Sequence, residues 1–228
     1  MTARTTSNTA LITILLMCLT AGPLLAQCPE EPTLQHFTGA GSFVCPCFAV
    51  GEEAGAVFTI PAEHYPIEVL RVGIGWGSLY GGNIPQSEQA INLYNGGLPH
   101  PGPRLLSHIG PQLTDGAINE YDLEPLPGEI IVESGPVLVT LEFYNANAGN
   151  TFAPSMVHDG NGCQPGVNMV KVIPGGWADA CGLGVTGDWL VHLVYRQAGC
   201  VSDVPQEYVV GNGAGRLHPC YPNPFNPS

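Results

Sequence analysis

The sequence has few basic residues, and this scarcity excludes two classes of partner. It carries six Lys and Arg against 19 Asp and Glu, and Lys171 is its single lysine. A formal net charge of −13 repels phosphate backbones and anionic lipid headgroups. Nucleic acid and membrane surfaces are therefore not expected partners, whereas divalent cations would be attracted.

Long apolar runs are absent beyond the N-terminus. Residues 11–19 (LITILLMCL) follow Arg4 and lead into a stretch of small residues that ends at Ala26. This is the pattern of a secretory signal peptide, and its apolar core is too short for a stable membrane span. We expect residues 1–26 to be removed and the protein to be secreted without a membrane span. Cys28 lies near the place of a lipid-attachment cysteine, but Gln27 is bulkier than the small residue such sites carry.

Helical periodicity is lacking as well. No window of twelve or more residues has a helical apolar stripe, because 30 glycines and 22 prolines interrupt nearly every one. Alternation indicates strands instead: Val139, Leu141 and Phe143 share one face of the stretch 137–144, and the residues between them share the other. The predicted strands are 56–60, 67–74, 90–94, 104–108, 117–123, 129–133, 137–144, 155–158, 167–173 and 189–195.

Ten short strands between turn signals predict an all-β fold. We expect an antiparallel two-sheet β-sandwich, jelly-roll-like, with long Gly/Pro-rich loops and disulfides, and an up-and-down barrel is the structural alternative. The sandwich should occupy residues 27–197. Residues 198–216 contain a glycine-rich spacer and are predicted to be a linker.

The cysteines are expected to form disulfides, because the chain is exported. Removal of the signal peptide takes Cys18 from the eight cysteines and leaves an odd number. The usual zinc spacings, Cys-x2-Cys and His-x3-His, are absent. Pro46 separates Cys45 from Cys47, and we expect these two cysteines to bond to different partners. The disulfide candidates are Cys28, Cys45, Cys47, Cys163, Cys181 and Cys200.

Catalytic motifs are also missing, and the protein is predicted not to be an enzyme. There is no Gly-x-Ser-x-Gly elbow or phosphate-binding glycine loop, and the histidines are scattered without spacing. Glu120 and Asp122 fall on one face of a predicted strand, where two carboxylates could serve glycoside hydrolysis or bind a cation. A solvated sheet edge is the simpler interpretation.

Two glycine-rich stretches suggest binding. Asp159 and Asn161 alternate in the stretch HDGNG, as oxygen ligands do at the start of a calcium loop, although a turn between strands explains the same letters. No other cofactor is indicated. Trp76, Tyr80 and Trp177 lie in or near glycine-rich segments, where exposed rings stack on sugars. Packing over a core edge is the alternative for the two tryptophans.

The last residues carry the one resemblance to a known family. Leu217 followed by the run 221–228 (YPNPFNPS) resembles the start of the C-terminal sorting domain of proteins exported by the bacterial type IX secretion system. Closely similar starts occur in FlgD-like immunoglobulin-type C-terminal domains. The resemblance implies delivery to the cell surface or release by that machinery. Residues 217–228 would then be a truncated start of such a domain, in which Cys220 replaces the usual polar residue.

These observations together favour a secreted or surface-attached bacterial protein with a non-catalytic binding or adhesion sandwich. Its expected partner is an extracellular glycan or a surface protein. A structural subunit of an extracellular assembly is the alternative hypothesis, and a secreted hydrolase that uses Glu120 and Asp122 is the third.

Overall fold

The computed structural model describes residues 31–39, 42–123 and 130–199. The predicted signal peptide, the terminal motif and residues 200–216 of the predicted linker lie outside the described residues. No helix in these three ranges is long and apolar enough to cross a membrane. The strands are β1 (Thr33–Gln35), β2 (Phe43–Val44), β3 (Glu53–Phe58), β4 (Ile67–Gly77), β5 (Gln86–Ser87), β6 (Ala90–Asn95), β7 (Arg104–Ile109), β8 (Gln112–Leu113), β9 (Ala117–Asp122), β10 (Ile131–Val132), β11 (Val137–Glu142), β12 (Ser155–His158), β13 (Asn168–Val172), β14 (Gly176–Asp179) and β15 (Val191–Gln197). Two short 3-10 helices span Ala62–His64 and Ala180–Leu183.

The strands form two antiparallel sheets, which confirms the all-β sandwich. In the seven-stranded sheet, β4 is the centre: β15 and β12 pair with one of its edges, and β9 and β10 pair with the other. The second sheet has the order β14-β13-β3-β11-β6-β7. A separate two-stranded ribbon joins β5 to β8. Each of the ten predicted segments overlaps a strand.

The core lies between the two sheets and is built by alternation. On β11, Val139 and Leu141 point into it together with Phe143 just beyond the strand, as predicted. The opposite face of β11 is buried as well at Leu138 and Thr140, because a second, smaller apolar cluster and a polar network cover it. Tyr144 is exposed.

A β-bulge sets the direction of the side chains on β4. Tyr195 of β15 is opposite Val69, but Val194 is opposite Arg71, so Leu70 is the extra residue. Ile67 and Val69 point into the core before the bulge, and Val72, Ile74 and Trp76 do so after it. The bulge therefore decides that Trp76 points inward.

Candidate ligand-binding surface

Trp76 does not lie in a glycine-rich loop, and of the two interpretations of the sequence, an exposed ring or a ring packed on the core, its burial matches the second. It lies on β4 and is 1% exposed. Its ring packs against Phe143, at a centroid distance of 6.1 Å. The glycines on either side alternate with it and face away from the core, so they form part of a strand rather than a loop. Because the Trp76 ring fills the core, a ligand cannot reach it in the folded protein.

Tyr80 has the exposure that the sequence predicted. Its side chain is 77% exposed and lies in the loop that follows β4. Its ring stacks on Phe152, which is 63% exposed, with centroids 5.5 Å apart and an interplanar angle of 29°. Leu79 and Ile84 in the same loop are also exposed. We call Leu79, Tyr80, Ile84 and Phe152 the aromatic patch.

Asp115 holds the loop that carries the aromatic patch. Its carboxylate accepts hydrogen bonds from the backbone N–H and the hydroxyl of Ser78, at 2.7 and 2.8 Å. It also accepts bonds from the backbone N–H and the amide of Asn83, at 2.9 and 2.8 Å. Burial alone would raise the pKa of Asp115, but the donors of Asn83 and Ser78 outweigh it and lower that pKa. Four donors on one carboxylate fix both ends of a six-residue loop.

The loop of Tyr80 and the loop of Phe152 are joined to each other. The amide of Asn83 donates to the carbonyl of Phe152 at 3.3 Å, and the N–H of Leu79 donates to the carbonyl of Thr151 at 3.2 Å. Gly81 and Gly82 have φ angles of +66° and +78°, which let the chain turn back between these anchors. The two exposed rings are thus presented on a braced support.

Trp177 lies in a different place from Tyr80. It is a half-buried residue of β14, at the edge of the six-stranded sheet. Its ring meets Tyr94 edge-on at 5.5 Å, and the Lys171 ammonium lies 5.9 Å from its centroid. Trp177 thus covers the smaller apolar cluster, which contains Leu138 and Met169. The structure does not bring Trp177 and Tyr80 into one site.

A buried carboxylate beside Trp177 was missed by the sequence interpretation. Glu53 of β3 is 1% exposed and accepts hydrogen bonds from Lys171 Nζ at 2.8 Å, from Thr140 at 2.7 Å and from Tyr94 at 3.0 Å. Asn92 adds a longer bond at 3.3 Å. Burial, together with the adjacent Glu53, raises the pKa of Tyr94. The sequence offers one signal of this buried carboxylate: Glu53 directly precedes a continuous run of apolar residues, 54–58.

Asp159 is buried and its carboxylate is already occupied. It accepts hydrogen bonds from the backbone N–H of Thr38, Asn161 and Asp188, at 2.9, 3.1 and 3.0 Å. Burial would raise the pKa of Asp159, but these donors lower it. The side-chain amide of Asn161, in contrast to its backbone N–H, donates to the Thr38 hydroxyl rather than to the Asp159 carboxylate. These hydrogen bonds are those of a structural turn at residues 158–162. Calcium binding by Asp159 and Asn161 stays a prediction.

Two cysteine pairs are bonded in the described ranges. Cys163 and Cys181 form one disulfide. Cys45 and Cys47 form the other, so the prediction that they bond to different partners is wrong. Their Cα atoms are 5.3 Å apart, which lies within the range that a disulfide spans, because the chain bends at Pro46. The other two candidates, Cys28 and Cys200, lie outside the described residues.

Among the described residues, the two disulfides leave no thiolate cluster for a metal. Asp179 lies close to the sulfurs of Cys163 and Cys181, but these sulfurs are bonded to each other. The Asp179 carboxylate accepts from the N–H groups of Gly166 and Cys181, at 2.6 and 2.9 Å. Asp179 therefore caps the short 3-10 helix that begins at Ala180.

Glu120 and Asp122 lie on the same outer face of β9, as predicted. Glu120 accepts a hydrogen bond from His192 at 2.9 Å, and Asp122 is in register with Arg71 of β4. Each carboxylate thus has a cationic or polar neighbour on the sheet. Neither the cleft of about 480 Å³ beside Phe48 nor the cleft of about 290 Å³ beside Gly75 is lined by Glu120 or Asp122.

Comparison with known proteins gives no match: no family model, no curated protein and no solved structure is similar to this chain. The function must therefore be inferred from the residues and their geometry alone.

Proposed function

We propose that this protein is a non-catalytic binding domain of the bacterial cell exterior, which attaches to a neutral glycan through the aromatic patch. The observation that supports this proposal most strongly is the exposure of Tyr80 and Phe152 on a braced loop pair. Exposed apolar side chains that form a contiguous patch mark interaction sites, whereas single ones are common on protein surfaces. A fixed ring can stack on the apolar C–H face of a sugar without the entropy cost of ordering a loop.

Polar groups beside the rings favour a sugar over a purely apolar partner. Asn83 lies in the same loop as Tyr80, and Asn150 caps the turn before Phe152 with a bond of 3.1 Å to its N–H. The Asn83 NH2 group is engaged by Asp115 and Phe152. The groups left for sugar hydroxyls are therefore the acceptor Oδ1 of Asn83 and the donor NH2 of Asn150, which have no hydrogen-bond partner among the described residues. The strongly negative chain disfavours acidic polysaccharides. The proposed ligand class is accordingly a neutral glycan.

The proposed location rests on the two ends of the sequence. The signal-peptide pattern in residues 1–26 supports export, and the resemblance of residues 217–228 to a type IX sorting domain supports delivery to the cell surface. A binding domain at that location would attach cells to an extracellular glycan.

A structural subunit of an extracellular assembly is the second candidate. It is favoured by β7, which forms an edge of the six-stranded sheet among the described residues, with Leu105 and Ile109 exposed along it. An exposed strand edge can pair with another chain. The odd number of cysteines in residues 27–228 offers a second route to a covalent assembly.

A glycan array tests the first candidate. We expect the protein without residues 1–26 to bind neutral glycans, and a Tyr80→Ala variant to lose that binding. The absence of any bound glycan would contradict the proposal. Non-reducing electrophoresis and size-exclusion chromatography of the same sample test the second candidate, which requires oligomers.

A further inference from the structure

A cleft that includes His158, the residue before Asp159, contains the Cys45–Cys47 disulfide in its wall. Its volume is about 480 Å³. Most of its lining is apolar. The apolar lining residues are Val44, Phe48, Val170, Val172, Leu183 and Val185. A cleft of this size with few polar groups fits a small apolar molecule or the apolar part of a larger one.

The two cysteines of the disulfide differ in exposure. Cys45 is half-buried and packs against the core. Its backbone N–H donates to the Met156 carbonyl at 3.0 Å, and its carbonyl accepts from the Ser155 hydroxyl at 2.6 Å. Cys47 is exposed. An incoming thiolate therefore reaches Cys47 Sγ first, and Cys45 remains fixed to the sheet.

The same bond contributes less to the fold than the other disulfide does. Cys45 and Cys47 are separated by two positions in the sequence, whereas Cys163 and Cys181 are separated by 18. A short loop removes little entropy from the unfolded chain when it is closed. Opening the Cys45–Cys47 bond thus leaves the domain folded, as an exchange reaction requires.

One buried donor lines the cleft: His158, whose ring is 7% exposed. Lys171 belongs to the cleft wall through β13, but its ammonium group bonds Glu53 on the opposite face of that strand. His158 Nδ1 accepts a hydrogen bond from the Gly160 N–H at 3.1 Å, which places the ring proton of the neutral form on Nε2. The Glu52 carboxylate is occupied by the N–H groups of Ala49 and Ile173. The polar part of the lining therefore includes the His158 ring, which can donate, and the Glu52 carboxylate, which is already occupied.

We propose that the Cys45–Cys47 bond is a thiol–disulfide exchange site for thiols with an apolar body. The thiolate of such a molecule attacks Cys47 Sγ, the bond between the two cysteines breaks, and Cys45 leaves as a thiolate that takes a proton from water. The product is a mixed disulfide on Cys47, with the organic group in the cleft. A second thiol of the same kind then releases the organic disulfide: two thiols are oxidised, and the protein disulfide is reduced to two thiols.

The test treats the protein without residues 1–26 with benzyl mercaptan or with 2-mercaptoethanol at equal thiolate concentration. Free thiols are trapped with iodoacetamide, and the peptides are identified by mass spectrometry. We expect the mixed disulfide on Cys47, an alkylated Cys45, and an intact Cys163–Cys181 bond as the internal control. Benzyl mercaptan should give about tenfold more adduct, because its ring is buried in the cleft.

A variant of the cleft wall separates binding from simple exposure. Leu183 lines the cleft but is itself 59% exposed, so a Leu183→Ser change should leave the fold intact. We expect this variant to reduce the preference for benzyl mercaptan and to leave the yield with 2-mercaptoethanol unchanged. Equal yields from the two thiols, adducts on Cys45, or opening of Cys163–Cys181 at the same thiol concentration would overturn the proposal.

Discussion

Trp76 and Tyr80 are four residues apart, yet one is 1% exposed and the other 77%. Each is next to a glycine in the sequence, Gly75 before Trp76 and Gly81 after Tyr80, and both belong to the same chain segment. Trp76 lies near the end of β4, where pairing with β9 and β12 fixes the direction of its side chain toward the core. Tyr80 lies past the end of the strand, where Asp115 fixes the backbone instead. The comparison shows that strand pairing, rather than local composition, decides whether an aromatic side chain is buried in the core or exposed.

The largest expected effect comes from removing the buried side chain of Trp76. Trp76→Ala should lower the free energy of unfolding by about 3–5 kcal/mol, because it leaves a cavity beside Phe143. Urea denaturation followed by circular dichroism measures this loss. Trp76→Phe is the matched control: it should cost much less, since the Trp76 indole N–H is buried with no hydrogen-bond partner among the described residues. Similar losses for the two variants would argue against the packing account.

The second effect depends on pH and concerns Asp159. Its pKa is lower in the folded protein than the ordinary value of 3.8, so the folded state binds this proton less readily than the unfolded state. The stability that Asp159 contributes is therefore fully present above about pH 4 and is lost as the pH falls through its folded pKa. Asp159→Asn should cost about 1–3 kcal/mol at pH 7, because an amide replaces the acceptor of three backbone N–H groups.

Acid denaturation measures this second prediction. The variant and the unchanged protein should differ in stability at pH 7 and converge as the pH falls below the lowered pKa of Asp159 in the folded protein. A difference that stays constant over the whole pH range would contradict the assignment of the effect to the ionised carboxylate.

The ten strands could be predicted because each carries its own local signal, the apolar alternation of residues such as Val139 and Leu141. β1, β2, β5, β8 and β14 were not predicted, since each has only two to four residues and shows no clear period; β10 and β12 are as short, but they lie in the predicted segments 129–133 and 155–158. The direction of Trp76 could not be predicted either, because it depends on a bulge at Leu70 that appears only when β4 pairs with β15. The partners of Glu53 come from β11, β13 and β6 and are distant in the sequence.

The third expected effect is smaller and concerns the support of the aromatic patch. Asp115→Ala removes the acceptor of Ser78 and Asn83, and we expect a loss of about 1 kcal/mol or somewhat more in the free energy of unfolding. Amide hydrogen exchange of Ser78 and Asn83 should accelerate strongly, while exchange in β4 stays slow. Unchanged exchange at these two amides would show that Asp115 does not hold the loop.

The smallest effect on stability is expected from substitutions in the aromatic patch, which should have the largest effect on glycan binding. Tyr80→Ala and Phe152→Ala should each change the free energy of unfolding by no more than about 0.5 kcal/mol, because both side chains are largely exposed. Thermal unfolding measures this difference. A loss comparable with that of Trp76→Ala would mean that the aromatic patch is part of the packed structure.

The central claim is that Tyr80 and Phe152 form the contact surface for a neutral glycan. It is tested most directly by isothermal titration of the best-bound glycan into the unchanged protein, the double variant Tyr80→Ala/Phe152→Ala, and the control Tyr144→Ala. Tyr144 is 62% exposed and makes no ring contact with the patch among the described residues. We predict that the double variant weakens binding at least about tenfold and that the control binds as the unchanged protein does. Equal affinity of all three proteins would contradict the account.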